Sequence, residues 1–476
     1  MIVSIAWKNV WRNKPRSLIV ICSITLGTIA GVFVAGLMNG WVDQRIRDVI
    51  YTQMSHIKLR NPNYLINEES QYTISDYKQI TQFIDSAPEV EAWCSRITIM
   101  AMATTSRGSC GIVLKGIDPV KEKLVSNISE KLVAQGGDYF EEPTKLPPVL
   151  IGDKTAELLR IKNFKIDQRV LDSLVRLKIP KPITEKLKQL IDIRYITDRK
   201  FKSALNERLS SSEIRKYGPY ILNLAKYYQP KAKIAFSFTN AKGELSYQTF
   251  QVCGIFKTSN STFDQYSAFV KKVDLAAVAG FGEDQFHEIA ILLKNEEEDL
   301  IPFSEKLSTQ FSEANVMTWK TMAPDAGMMA DFINFYYFMI MGIIFFALAF
   351  GIINTMMMAI LERIKELGML MAIGMSKMKV FSMIMLETIF LTLVGSVLGM
   401  LIGAGLINIT GRVGLNFASI AEGFEAIGYS AVVYPSISVS FFFGVTVMVI
   451  VIGILSSIIP ARKALKQNPV ESLRIE

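Results

Sequence analysis

The residues able to do chemistry in this chain are few, and their types exclude most enzyme mechanisms. There are only two histidines, His56 and His287, far apart in sequence. No Cys/His cluster has metal-ligand spacing, and no Ser/His/Asp constellation stands out. Of the four cysteines, Cys22 lies in an apolar run; Cys94, Cys110 and Cys253 lie outside it, an odd number that gives no disulfide framework. Cys94 and Cys110 either pair or are two buried thiols. No G-x-x-x-x-G-K-[ST] loop occurs, so a nucleotide used by this protein is hydrolysed by another polypeptide. The patterned residues are of another kind. Glu362, Arg363, Lys365 and Glu366 alternate with Ile364, Leu367 and Met371, and Gly368, Ala372 and Gly374 follow. As a helix this run is amphipathic, and a charged helix where a short polar turn would suffice points to docking on a partner. Nearby, Glu387 is the single charge in an apolar run, and Gly395, Gly399 and Gly403 recur every four residues.

Four apolar runs must position these residues: Leu18–Met38, Phe335–Leu361, Val380–Ile409 and Ser438–Ile459. Each is long enough to cross a bilayer core of about 30 Å at about 1.5 Å per helical residue. The first is too long for a signal-peptide apolar region, so it reads as an uncleaved anchor despite a weak cleavage pattern at Val34-Ala35-Gly36. The short flanks carry the basic excess. Lys8, Arg12, Lys14 and Arg16 precede the first run without any acid. Residues 362–379 and 461–476 are also net basic, and the three flanks together equal the chain's formal charge of +8. The positive-inside rule then places both termini and the 362–379 connection in the cytoplasm. The basic balance is a topology signal and gives no argument for nucleic acid.

The expected fold class is a membrane protein of four transmembrane α-helices, with a large α+β extracytoplasmic domain inserted between helices 1 and 2. The expected division is an interfacial helix over 1–16, spans over 17–40, 334–361, 380–409 and 438–460, and a periplasmic domain over 41–333. The connection 362–379 is a cytoplasmic helix, 410–437 a short outer loop and 461–476 a cytoplasmic tail. Ile2, Ala6 and Val10 form one helical stripe beside Trp7 and Trp11, which suits a helix lying in the interface. In the outer domain, His56–Arg60 reads as strand, Ser75–Ser86 as a helix capped by Ser75, and Arg96–Thr105 and Gly111–Gly116 as strands around a turn. His287–Leu293 and Asn315–Trp319 read as strands flanking a Pro302–Phe311 helix. These end units predict a membrane-proximal subdomain (41–117 with 287–333), and 118–286 a distal one containing the hairpin Lys231–Thr239/Leu245–Phe256. Residues 163–229, rich in Lys, Arg, Leu and Ile and broken at Ile179-Pro180-Lys181-Pro182, read as a helical insertion. Its charged surface is either a solvated face or a partner face.

An ionisable group inside a span is a functional candidate by default; the alternative for Glu387 is a carboxylate meeting a polar neighbour near the interface. The three glycines let two helices approach closely, either within the chain or between subunits.

The run E-R-x-x-E-L-G-x-x-x-A-I-G-M at 362–375 resembles the coupling segment of the FtsX-like ABC-transporter permeases, the family of MacB and the lipoprotein-releasing permeases. Pro460-Ala461-Arg462-Lys463-Ala464 with Asn468–Arg474 resembles that family's ending, and Ala6–Arg12 with Arg16-Ser17-Leu18 its beginning. Val149–Gly152 with Ala156 and Leu158–Leu159 is similar to the family's strand–helix step. Val252–Thr258 with Phe263-Asp264 is similar to a later strand. The 163–229 segment departs from the family's pattern. The resemblance implies a homodimer, or a heterodimer with a related permease, bound to separate ABC ATPase subunits that hold ATP and Mg. No cofactor on this chain and no catalysis by it are implied. Glu362, Arg363, Lys365, Glu366, Leu367, Gly368, Ala372 and Gly374 would receive the ATPase's movement. The first two spans, continuing into Trp41–Met54 and Pro324–Asp331, would carry it outward. Three functions follow: release of lipoproteins from the inner membrane, MacB-like export of small molecules or peptides with periplasmic adaptor and outer-membrane partners, or regulation of a cell-wall hydrolase. Gly36–Trp41 and Ser55-His56-Ile57 resemble the lipoprotein-releasing branch.

Overall fold

In the computed structural model the described residues are 2–465, except 13, 135, 142, 143, 178, 230 and 418–420. The ending motif Asn468–Arg474 lies outside them. The chain starts with helix α1 (Ile2–Arg12), which stops four residues short of the expected 1–16. Helix α2 (Lys14–Asp48) carries the first apolar run, and a π-helical turn, Val49–Met54, continues it.

The large domain follows. Strand β1 (Ile57–Arg60) leads to α3 (Tyr64–Asn67) and α4 (Tyr77–Ser86). Ser75 does not cap α4: Asp76 occupies that position in the left-handed region (φ 52), without a side-chain cap. Strand β2 (Val90–Thr105) starts six residues earlier than expected and turns at Ser106-Arg107 into β3 (Gly108–Ile117). Asp118 caps α5 (Pro119–Val125) by accepting from the Val120 and Lys121 N–H groups, with Pro119 at the first helical position. A 3₁₀ turn (Ile128–Lys131), β4 (Pro148–Gly152) and α6 (Asp153–Leu158) come next.

The 163–229 segment is mostly helical: α7 (Gln168–Arg176), α8 (Lys181–Lys188), α9 (Asp198–Asn206) and α10 (Ser211–Leu224). It also contains a three-stranded sheet that the composition concealed, β6 (Arg194–Tyr195), β5 (Lys162–Lys165) and β7 (Lys226–Tyr228). Strands this short give no periodicity to read. The segment has its own core, including Leu174, Leu187, Phe201 and Ile221.

Strands β8 (Lys233–Thr239) and β9 (Leu245–Phe256) form the expected hairpin. Phe263-Asp264 is not strand but lies in α11 (Ser261–Tyr266). Then come β10 (Ser267–Lys271), α12 (Lys272–Ala279), β11 (Glu288–Leu293), α13 (Glu296–Gln310), β12 (Asn315–Thr318) and α14 (Trp319–Met322). Pro302 does not start α13 but sits inside it, because Glu296–Asp299 supply an acidic first turn that favours an earlier start.

Nine of these strands form one sheet, in the order β12-β1-β11-β2-β3-β10-β4-β9-β8. Strand β2 pairs with β11 through its first half and with β3 and β8 through its second. The pairing of β8 back on β2 closes six strands into a ring around Ile97, Ile99, Leu114, Phe236 and Phe250, all at most 1% exposed. Strands expected in two subdomains are therefore continuous through β2.

Beyond the large domain, α15 (Pro324–Glu362) carries the second apolar run without a break. A short helix α16 (Ile364–Ala372) leads to α17 (Lys377–Val413), the third run. The 410–437 loop contains β13 (Leu415–Asn416), α18 (Ala421–Ala426) and β14 (Val432–Val433). Helix α19 (Val439–Leu465) closes the chain's described part. Among the described residues, four helices are thus long and apolar enough to cross a membrane. Two compact units result. One is Met1–Asp43, Met329–Asn416 and Val432–Glu476; the other is Gln44–Met328 with Phe417–Ala431.

All four cysteines are free, and Cys94 donates to Glu122 Oε2 at 3.2 Å. Both histidines serve the backbone. His287 accepts from Thr98 N–H at Nδ1 (3.1 Å) and donates from Nε2 to the Ser70 carbonyl (2.9 Å), while His56 Nδ1 accepts from Leu293 N–H (2.8 Å). Burial lowers both to a pKa of about 4. The unfolded chain therefore takes up these protons first, and the stability they allow is present above about pH 6.5 and lost as pH falls toward 4. Asp264, raised by burial to about 7, acts in the opposite sense. The paired change His56→Asn and His287→Asn keeps the acceptors and should flatten the fall in unfolding midpoint between pH 6.5 and 4.5. Equal slopes for parent and variant would contradict this.

Candidate functional site

The residues singled out in the sequence meet around α16. Helix α15 ends at Glu362, and Arg363, in a non-helical conformation, makes the corner. Gly374 sits at φ 102, a conformation open to glycine at little cost, and ends the segment before Ser376 and α17. Leu367, 6% exposed, is the inward anchor of α16 and packs in a core with Ala6, Val10, Ile360, Val380 and Ile384. Gly368 beside it is buried. The outward face carries Lys365, Glu366, Met369, Ala372 and Ile373, the last 77% exposed. This face is more apolar than the charge pattern suggested.

Glu387 is not isolated. It accepts from Asn9 Nδ2 at 2.6 Å and lies 3.5 Å from Arg363 Nη1. Arg363 also donates through Nη2 to the Asn9 carbonyl at 3.1 Å. A second ion pair, Arg12 with Glu366, ties the end of α1 to α16. It is half exposed on both sides, so screening leaves it modest. Together these contacts bind α1, the α15–α16 corner and α17. The same residues, with Met356 and Met383, border a cavity of about 310 Å³. Of the expected interfacial helix, Ala6 and Val10 are buried, whereas Trp7 and Trp11 stay 43% exposed, Trp7 stacking edge-on against Phe390 at 5.4 Å.

The glycine stripe of α17 faces α2 in the same chain. A Cβ at Gly395 would meet Ile24 Cβ at 2.9 Å, at Gly399 Thr28 Cβ at 2.6 Å, and at Gly403 Val32 Cγ1 at 3.0 Å. Thr25 Oγ1 uses this closeness to donate to the Gly395 carbonyl at 3.0 Å. Close approach allowed by small residues is what holds helices together in an apolar solvent.

A second junction, in the large-domain unit, had no sequence signal beyond isolated polar residues. Arg45, 9% exposed near the end of α2, donates to the Gly428 carbonyl (3.2 Å) and pairs with Asp325 at the start of α15 (3.3 Å). The π-turn after α2 is bound to domain loops by Thr52 Oγ1 to Asn127 (2.8 Å) and by Asn127 N–H to the Tyr51 carbonyl (2.8 Å). Asp48 accepts from Ser259 and pairs with Lys131 at 3.5 Å. In the 417–431 loop, Glu425 pairs with Lys257 at 2.7 Å. Among the described residues no group of three or more His, Cys, Asp or Glu could hold a metal ion.

Four helices apolar enough to span a bilayer, a patterned short helix between the second and third, and a large α+β domain between the first and second give the layout of a polytopic membrane protein. Residues 338–469 match the family model described as FtsX-like permease C-terminal. Over this region the chain is similar to the FtsX-like permeases. It is 28% identical over 236 residues to an uncharacterized ABC transporter permease of Methanocaldococcus jannaschii, covering 48% of this chain and 55% of that protein. To the uncharacterized ABC transporter permease YknZ of Bacillus subtilis it is 25% identical, covering 52% of this chain and 60% of YknZ. It is also 32% identical to the macrolide export ATP-binding/permease protein MacB of Acinetobacter baylyi, over 26% of this chain and 17% of MacB. The matches thus span less than two thirds of these curated relatives. The crystal structure of the extracellular domain of YknZ aligns with 55% of this chain and 99% of that domain, at 12% identity and a TM-score of 0.27.

Two substitutions test the packing. Gly399→Ala forces a methyl against Thr28 and should cost about 1–3 kcal/mol of stability in detergent, whereas Gly405→Ala, with nothing within 4 Å, should be silent. Glu387→Ala removes the carboxylate that Asn9 Nδ2 and Arg363 Nη1 face and should cost about 1–3 kcal/mol; thermal unfolding of the solubilised chain reads both.

Proposed function

We propose that this chain is the membrane subunit of an ATP-driven transporter and that α16 receives the movement of a partner ABC ATPase. The observation that carries the reading is the two-sided seating of α16. Its inner side is fixed by Leu367, and its outer side presents Lys365, Met369, Ala372 and Ile373, with Glu366 on that side pairing to Arg12 of α1. A short helix held this way cannot absorb a push by bending, so force on its outer face reaches α1, α15 and α17 through packed side chains. Unbroken α2 and α15 then give the movement a stiff route toward the large domain.

In this reading the ATPase is a separate subunit that binds ATP and Mg, and this chain contributes no catalytic group. Two permease copies, identical or related, assemble with it. The basic flanks put both termini and α16 in the cytoplasm and the large domain outside the inner membrane. For the cargo, the likeness of Gly36–Trp41 to lipoprotein-releasing permeases favours extraction of membrane-anchored lipoproteins. The similarity to MacB, a macrolide export protein, favours instead export of small molecules.

The combined change Glu366→Lys and Gly368→Pro reverses the charge facing Arg12 and breaks α16. With the ATPase still co-purifying, ATP turnover should persist while cargo release falls by at least about tenfold, within the range of a coupling free energy of 1–3 kcal/mol. Normal transport by that variant sinks the proposal. Depletion of the protein separates the cargoes: lipoproteins retained in the inner membrane support release, and their normal sorting supports export.

A further inference from the structure

The large domain holds a buried charge cluster that the transport reading does not use. By strand register, Arg60 lies opposite Glu288, Glu288 opposite Arg96, and Thr98 opposite Lys115, on one face of the sheet. Helix α5 adds Glu122, which accepts from Arg96 at 2.8 and 2.9 Å. Arg96 also donates to Glu288 at 2.6 Å, and Lys58 pairs with Glu288 at 3.1 Å. Four cations, Lys58, Arg60, Arg96 and Lys115, thus face two buried carboxylates.

The surplus is concentrated at Lys115. It is 8% exposed, and among the described residues no carboxylate lies within ion-pair distance of its Nζ. The Nζ sits 5.2 Å from the Phe263 ring centre and 5.6 Å from that of Phe269. Beside it, the Thr98 hydroxyl is buried without a hydrogen-bond partner. Lys58, Thr98 and Lys115 border one cavity of about 330 Å³, whose other lining residues include Arg60, Glu68, Met54, Met100, Val113 and Phe263. Burial lowers Lys115 to a pKa of about 8 and Lys58 to about 7, the direction expected where cations outnumber anions. Glu288 and Glu122 act on Lys115 only from beyond ion-pair distance, and a buried ammonium without a direct partner and an orphaned hydroxyl in one pocket are both costly unless a ligand completes them.

We propose that this cavity binds a small organic anion, a phosphate or carboxylate head held by Lys115 and Thr98 with a short apolar extension against Met54, Met100, Val113 and Phe263. The inference is independent of the transport reading.

The test uses the full chain in neutral detergent, with inorganic phosphate, n-butyl phosphate, butyrate and n-butanol as water-soluble probes followed by calorimetry. Butyl phosphate or butyrate should bind saturably and more tightly than inorganic phosphate, and n-butanol should not bind. Lys115→Met should weaken that binding at least tenfold. Thr98→Val keeps the side-chain shape, so it should weaken binding severalfold without lowering the unfolding midpoint. Absence of binding by either organic anion, or equal affinities for parent and Thr98→Val, overturns the proposal. Lysophosphatidic acid in nanodiscs separates the sources. Its displacement of butyl phosphate in a Lys115-dependent way supports a lipid head as the ligand, and butyl phosphate binding that persists against it supports a soluble one.

Discussion

A carboxylate on a membrane helix must find partners, and the way Glu387 finds them organises one end of the helical unit. Asn9 and Arg363 reach it from two other helices, so α1, the α15–α16 corner and α17 share one polar knot. Removing water strengthens these bonds and raises the cost of leaving any of them unmade. The knot therefore fixes where α16 leaves α15, and with it which residues of α16 face inward. Leu367 completes the seat by burying its side chain among Ala6, Val10, Ile360 and Val380.

The glycine contact works with this knot at the other end of α17. Polar bonds set the relative position of helices near Glu387, and the small faces at Gly395, Gly399 and Gly403 let α2 lie close along the rest. Neither device needs apolar attraction, which lipid does not supply. The large domain solves a different problem. Its long strand β2 belongs to the ring and to the four-strand edge at once, so the two parts cannot slide without breaking one ladder. Arg45 applies the same economy within that unit, joining the end of α2, the start of α15 and the 417–431 loop through one guanidinium.

Much of this is legible in the sequence. The apolar runs gave the four helices, because length and the absence of charge are local properties. The alternation and turn residues around Asn240–Gly243 gave the β8–β9 hairpin for the same reason. The α16 helix followed from the spacing of Ile364, Leu367 and Met371. The failures were also local in origin: Ser75 was a plausible cap that the backbone passes by, Pro302 was tolerated inside α13, and β5, β6 and β7 were too short to show a period.

The kinds of element, their order and the charges that flank the spans depend on neighbours along the chain and can be read from it. Folding in three dimensions is what brings Glu387 to Arg363 and Asn9, turns the glycines toward α2 of the same chain, and puts Lys115 and Thr98 on one cavity. Those pairings join residues from separate strands or helices, and no periodicity records which distant side chain will satisfy a buried charge.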